Sequence, residues 1–101
     1  METRRDEEQL SETEINRGID RVFSGIERCL VLLPSEAPSA GKVVVGMRIA
    51  SSGEVTEVNL QGPSFLVAGD AGACIRRIVK SIRYSSFNGP GMIVRYPITF
   101  E

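Results

Sequence analysis

The chain has 101 residues, 42% hydrophobic and 25% charged, with a net charge of −1, which fits one ordinary globular domain and excludes collagenous, polybasic and compositionally disordered classes. It contains no histidine and two cysteines, so the commonest general base and metal ligand is missing and a disulfide-rich scaffold or a zinc-cysteine cluster is ruled out. No secretory h-region and no apolar run near the ~20 residues of a membrane helix occur, which predicts a soluble chain.

Residues 1–10 (METRRDEEQL) are charged and lack a core-facing pattern, so they read as a flexible linker end, with the domain spanning 11–101. Ser11 followed by Glu14 fits a capping box. Ile15, Ile19, Val22, Phe23, Ile26 and Leu30 then recur at spacings of three and four, predicting an amphipathic helix of about five turns that ends before Pro34. Gly18 and Gly25 lie inside it, each costing about 1 kcal/mol relative to alanine. With Val22 and Cys29 they form a stripe of small profile that predicts the close approach of another helix.

Ser35 to Gly41 is a Pro- and Gly-containing connection. Val43, Val45, Met47 and Ile49 alternate as a strand, and Val55 to Leu60 form a second. Between them Ser51, Ser52 and Gly53 make a hairpin turn, and the phase break after Val55 predicts a bulge. Gln61 to Gly69 reads as a loop whose Phe65, Leu66 and Val67 tuck onto the core. A second helix follows, with Asp70 as N-cap and Ala71, Cys74, Ile75, Ile78, Val79 and Ile82 on its buried face. Asn88, Gly89, Pro90 and Gly91 turn the chain into a last strand, Met92 to Glu101. There Met92, Val94, Tyr96, Ile98 and Phe100 alternate with the mostly solvated Ile93, Arg95, Thr99 and Glu101, and Pro97 restricts the strand to a sheet edge.

The element order α-β-β-α-β gives an α+β fold: two antiparallel helices on one face of a three-stranded antiparallel sheet, strand order 2-1-3. In it Cys29, late in the first helix, meets Cys74, early in the second. The small residues Gly25, Ala71, Gly72 and Ala73 nearby allow the close approach of about 4.4–6.8 Å between Cα atoms that a disulfide needs. The favoured reading is a Cys29–Cys74 disulfide; the competing one is two buried thiols in a reducing cell.

The hairpin VVVGMRIASSGEVTEVNL with its Gly53-x-Val55 turn, the helix ACIRRIVKSIRY and the run VRYPITF together resemble the TonB C-terminal domain family from about Ser11 to Phe100. The two cysteines and FNGPGMIVRYP, Phe87 to Pro97, look more like the AgmX/PglI-type variants in myxobacterial gliding-motility and envelope proteins. Where such helices commonly finish in Trp-x-Phe, this chain has Ile82-Arg83-Tyr84. The resemblance implies a non-enzymatic periplasmic domain of an inner-membrane-anchored protein, serving energy transduction or gliding motility. Its membrane link would be an upstream anchor, and its partner an outer-membrane or periplasmic protein segment. The implied mode is strand addition to the last strand, with Ile93, Val94, Arg95, Tyr96, Pro97 and Thr99 as partner-binding residues.

Other chemistries are weaker. Cys74 in a helix's first turn would suit a redox nucleophile, but there is no nucleophile–base pair to complete a catalytic site. Asp70, Glu54 and Glu57 have no paired-carboxylate spacing, and no glycine loop or ligand cluster implies a cofactor or metal. Residues 37–101 hold seven Lys or Arg against four Asp or Glu; Arg76, Arg77, Lys80 and Arg83 make the second helix basic, and with Tyr84, Arg48 and Arg95 they would suit nucleic acid. The pI of about 5.5 and the lack of an aromatic sheet face nevertheless argue against nucleic acid and for a solvated helix face. The alternatives kept open are homodimerisation through the last strand and a cytosolic regulatory or nucleic-acid-binding α+β domain.

Overall fold

The computed structural model describes residues 9–36 and 41–100. Most of the charged lead-in, part of the Ser35–Gly41 connection and Glu101 therefore lie outside the described residues. The first helix, α1 (Glu12–Arg28), starts on the capping box its sequence spells: the Glu14 amide donates to the Ser11 hydroxyl at 3.1 Å and the Ser11 amide donates to Glu14 Oε1 at 2.9 Å. These bonds occupy donors that the first helical turn otherwise leaves unpaired. Leu10, assigned from sequence to the lead-in, is buried in the same apolar cluster as Ile15. The two hold the N′ and N4 positions of a hydrophobic staple, so the packed domain begins one residue earlier than the capping signal suggests. A 3₁₀ turn, Cys29–Leu32, finishes the segment before Pro34.

Strands β1 (Gly41–Ile49) and β2 (Val55–Gln61) form the hairpin. Gly53 supplies the positive φ of the turn, +94°, and its amide donates to the Ala50 carbonyl at 2.8 Å. The register shifts between Arg48 and Ile49, which pair with Glu57 and Val55. Thr56 is thus the extra residue of the expected bulge. β3 (Met92–Phe100) pairs antiparallel with the other side of β1 without a shift, from Gly41↔Phe100 to Ile49↔Met92. The sheet order is β2-β1-β3, as the element order predicts.

One sheet face is apolar. Val43, Val45, Met47 and Ile49 of β1 are buried and share a core with Val55, Ile98 and Phe100 of the neighbouring strands and with Ile15, Ile19, Ile26, Ile75 and Val79 of the helices. The opposite face carries Lys42, Val44, Gly46 and Arg48 on β1, flanked by Glu57, Asn59 and Gln61 on β2 and by Ile93, Arg95, Pro97 and Thr99 on β3. Period-two alternation separates the two sets.

The remaining expectations need correction in three places. Ser64–Val67 is a short helix, α2, rather than loop, and its Leu66 is fully buried; four residues are too few to display a 3.6-residue period. The next helix, α3, runs Gly69–Lys80 with Ala68 at the N-cap position and no side-chain cap, so Asp70 sits in the first turn instead of capping it. Gly69, at φ +70°, turns the chain directly from α2 into α3, which leaves no loop for an Asp cap to close. At the other end Ser81 Oγ donates to the Ile78 carbonyl at 2.6 Å and α3 stops at Lys80. Ile82 is buried as expected, but just past the helix, where its amide donates to the Val79 carbonyl at 3.1 Å.

Cys29 and Cys74 form a disulfide with Cα atoms 5.7 Å apart, within the range such a bond requires. It ties the end of α1 to α3 across a sequence separation of 45 residues. Gly25 faces Ile78 of α3, whose Cδ1 lies 3.6 Å from the place a Cβ would occupy. Gly18 on the same stripe faces no helix but the ring of Tyr84, with Cε1 2.5 Å from a would-be Cβ.

Candidate functional site

The strand expected to carry the site, β3, pairs on one side only and leaves its other side as a sheet edge. Its side chains divide by parity. Ile93, Arg95, Pro97 and Thr99 are exposed, and Ile93, at 67%, is one of the few large apolar side chains that the fold leaves in solvent. Val94 and Tyr96 are half-buried and pack against the core. The six residues therefore share one strand, but their side chains occupy two faces: four on the open face and two on the core side.

Pro97 stands opposite Val44 without disturbing the register. A proline is accommodated there because an edge strand needs ladder donors on one side only.

The open face of the sheet is concave at its middle. Across the three strands Asn59, Gly46 and Arg95 form one row, and Glu57, Arg48 and Ile93 the next. Gly46 has no side chain, and Asn59 leans over the space: its Oδ1 is 2.6 Å from where a Cβ on residue 46 would be. The resulting hollow, about 710 Å³, runs past Thr56 and Val58 at the β2 edge of the sheet to α3, and its cationic lining is Arg48, Arg76, Arg77, Lys80 and Arg95 against one carboxylate, Glu57. Arg48 Nε donates to Glu57 Oε1 at 3.3 Å, both side chains being more than half exposed; such a pair is worth at most about 1 kcal/mol. Arg76 is held in place by donation from Nη1 to the Val67 carbonyl at 3.0 Å.

The sequence names these cations together, Arg48 and Arg95 beside the basic helix, but its periodicity does not arrange them around one hollow. Arg76, Arg77 and Lys80 share a helix face at spacings of one, three and four, but their convergence with Arg48 and Arg95 depends on strand register and on where α3 lies. The signal available beforehand was Gly46 in the middle of the strand, a residue type that marks close approach or missing volume.

Behind the hairpin, Tyr84 connects α1 to the hairpin turn. Its hydroxyl donates to the Ile15 carbonyl in α1 at 3.0 Å, its amide donates to the Gly53 carbonyl at 2.9 Å, and its ring fills the notch at Gly18. Burial pushes its phenol up to about 12, with Arg21 pulling weakly the other way. The backbones of Arg83 and Glu54 form an isolated antiparallel bridge beside it, and the Phe87 amide donates to the Ser51 carbonyl at 2.8 Å. Residues 83–87 thus line the turn of the hairpin.

Among the described residues no charged side chain is buried, none with three or more potential metal ligands are grouped, and no helix is long and apolar enough to cross a membrane. Both cysteines are committed to the disulfide, a bond that persists in oxidising compartments such as the periplasm or the cell exterior. Comparison with protein-family models, with curated proteins and with solved structures finds no match to this chain.

Proposed function

We propose that this chain is a non-enzymatic protein-interaction domain of the TonB C-terminal type, with its two long helices antiparallel on the apolar sheet face, working in the periplasm. There it takes up an extended segment of an envelope partner by strand addition to β3. The observation that carries the reading is the nine-residue β3, paired on one side only and bearing the exposed Ile93, Arg95 and Thr99 on its open face. An added strand gains affinity from main-chain hydrogen bonds and selectivity from alternate side chains. Pro97 fits the ladder best with its nitrogen on the free side, which by alternation turns the amides of Ile93, Arg95 and Thr99 outward too. The disulfide supports an oxidising location.

The exposed Ile93 favours a second reading through the same edge, pairing of β3 with β3 of another copy, because two such strands would cover each other's apolar side chain. The test for the first reading is to select peptides that bind the oxidised domain from a displayed library of extended sequences, then follow amide shifts and exchange on adding them. Strand addition predicts new protection at Ile93, Arg95 and Thr99. Changes confined to α3 would overturn it, and concentration-dependent sedimentation without peptide would favour the dimer.

A further inference from the structure

We propose that the concave open face of the sheet, together with the basic face of α3, is a docking site for an acidic protein segment. The reason lies in its charge and shape. Five cations from three separate elements, Arg48 on β1, Arg95 on β3 and Arg76, Arg77 and Lys80 on α3, line one hollow of about 710 Å³ with a single carboxylate among them. That carboxylate, Glu57, already pairs with Arg48, so the field over the hollow is positive in a chain whose net charge is −1. The floor mixes apolar and hydrogen-bonding groups: Met47, Val58 and Ile93 line it with Asn59, opposite Gly46, and Gln61, whose side-chain amides offer a passing main chain both donors and acceptors. Arginine forks bind carboxylates in pairs of parallel hydrogen bonds.

The shape selects a peptide from among anionic partners. A hollow meets an extended chain along its length, whereas a planar bilayer touches only its rim. No aromatic side chain lines it, so the stacking platform that single-stranded nucleic acid uses is missing. Electrostatic docking here is independent of strand addition, although Ile93 and Arg95 border both surfaces.

The test is a fluorescence-anisotropy titration of the oxidised domain with a short labelled Glu/Ser peptide, with a single-stranded oligonucleotide and anionic vesicles as competing probes. The peptide is expected to bind at low salt, to weaken as salt rises, and to shift the amides of Gly46, Asn59 and Lys80. Arg77→Glu with Lys80→Glu should weaken it about tenfold or more, a change of about 1.4 kcal/mol. Arg17→Glu with Arg28→Glu, on the exposed side of α1, should change it less than about twofold. Equal loss from both pairs would mean diffuse attraction and would overturn the site. So would tighter binding of the oligonucleotide or the vesicles, or no binding of the peptide at all. Thermal melts of both variants establish that each remains folded, and Arg95→Gln, on the sheet rather than the helix, should weaken the peptide in the same direction as the α3 pair.

Discussion

At the scale of single residues, Tyr84 shows how one residue can tie together three that are remote in sequence. Its ring needs the absence of a Cβ at Gly18, its amide needs the hairpin carbonyl at Gly53, and its hydroxyl needs the Ile15 carbonyl. Periodicity does not single it out, because it lies beyond the helix in irregular chain and all its partners are remote in sequence. The two helix glycines, by contrast, are legible as anomalies, and only packing separates them. Gly18→Ala puts a methyl within 2.5 Å of the ring and should lower stability by about 1–3 kcal/mol despite its better helix propensity. Gly25→Ala meets Ile78 at ordinary contact, 3.6 Å, and should be neutral or raise stability by up to about 1 kcal/mol. Urea unfolding of the two variants checks both signs. The Tyr84 phenol adds a pH dependence. Its folded value is about 12 and the unfolded value about 10, so between these the unfolded chain has released a proton that the folded chain still holds. Stability then falls as pH rises through that window, by about 2–3 kcal/mol once both states are ionised. Tyr84→Phe should start about 1 kcal/mol less stable at neutral pH, having lost the bond to Ile15, and show a smaller alkaline decline in denaturation series from pH 8 to 12.

At the scale of elements, alternation and capping signals make α1 and the three strands readable, because in each a single face is buried and the period is sustained. The sheet order follows as well, since a crossover through α3 makes β3 parallel to β2, and β1 placed between them gives an all-antiparallel sheet with the Pro97 strand at an edge. What escapes is short or relational: α2 has four residues, α3 starts on Ala68 because α2 abuts it, and the cationic hollow exists only once β1, β3 and α3 are assembled. For β3 itself, Pro97 removes one donor from the edge and so limits indiscriminate pairing. Pro97→Val supplies that donor and a β-branched side chain, and should increase self-association, seen as a sedimentation coefficient that rises with concentration while the circular dichroism stays that of the parent. Adding Ile93→Lys, which places a charge on the exposed edge, should return the variant to the monomer. If Pro97→Val sediments as the parent does at every concentration, the free side of β3 is not the pairing surface proposed for it.

At the scale of the molecule, the disulfide joins the helical layer to itself, and its weight is judged against the whole. A domain of this size has a net stability of about 5–15 kcal/mol, and closing a loop of 45 residues contributes roughly 2–4 kcal/mol in the chain-entropy model. The bond is therefore a sizeable share of the total, but the core of Ile19, Ile26, Val45, Met47, Ile49, Leu66 and Val79, each essentially inaccessible to solvent, remains when it is broken. Reduction should accordingly lower the urea midpoint and the melting temperature by an amount corresponding to about 2–4 kcal/mol, with native near-ultraviolet dichroism retained at moderate temperature. Cys29→Ser with Cys74→Ser should reproduce the reduced protein, and the single Cys74→Ser variant should match it too, since each severs the same crosslink. A reduced chain that melts with the oxidised one would mean that the helices hold their positions without the bond, leaving the proposed oxidising location without its main physical support. A reduced chain that fails to fold would make that location a condition for the domain to exist, because β3 keeps its edge free only while β1 beside it remains packed on the core.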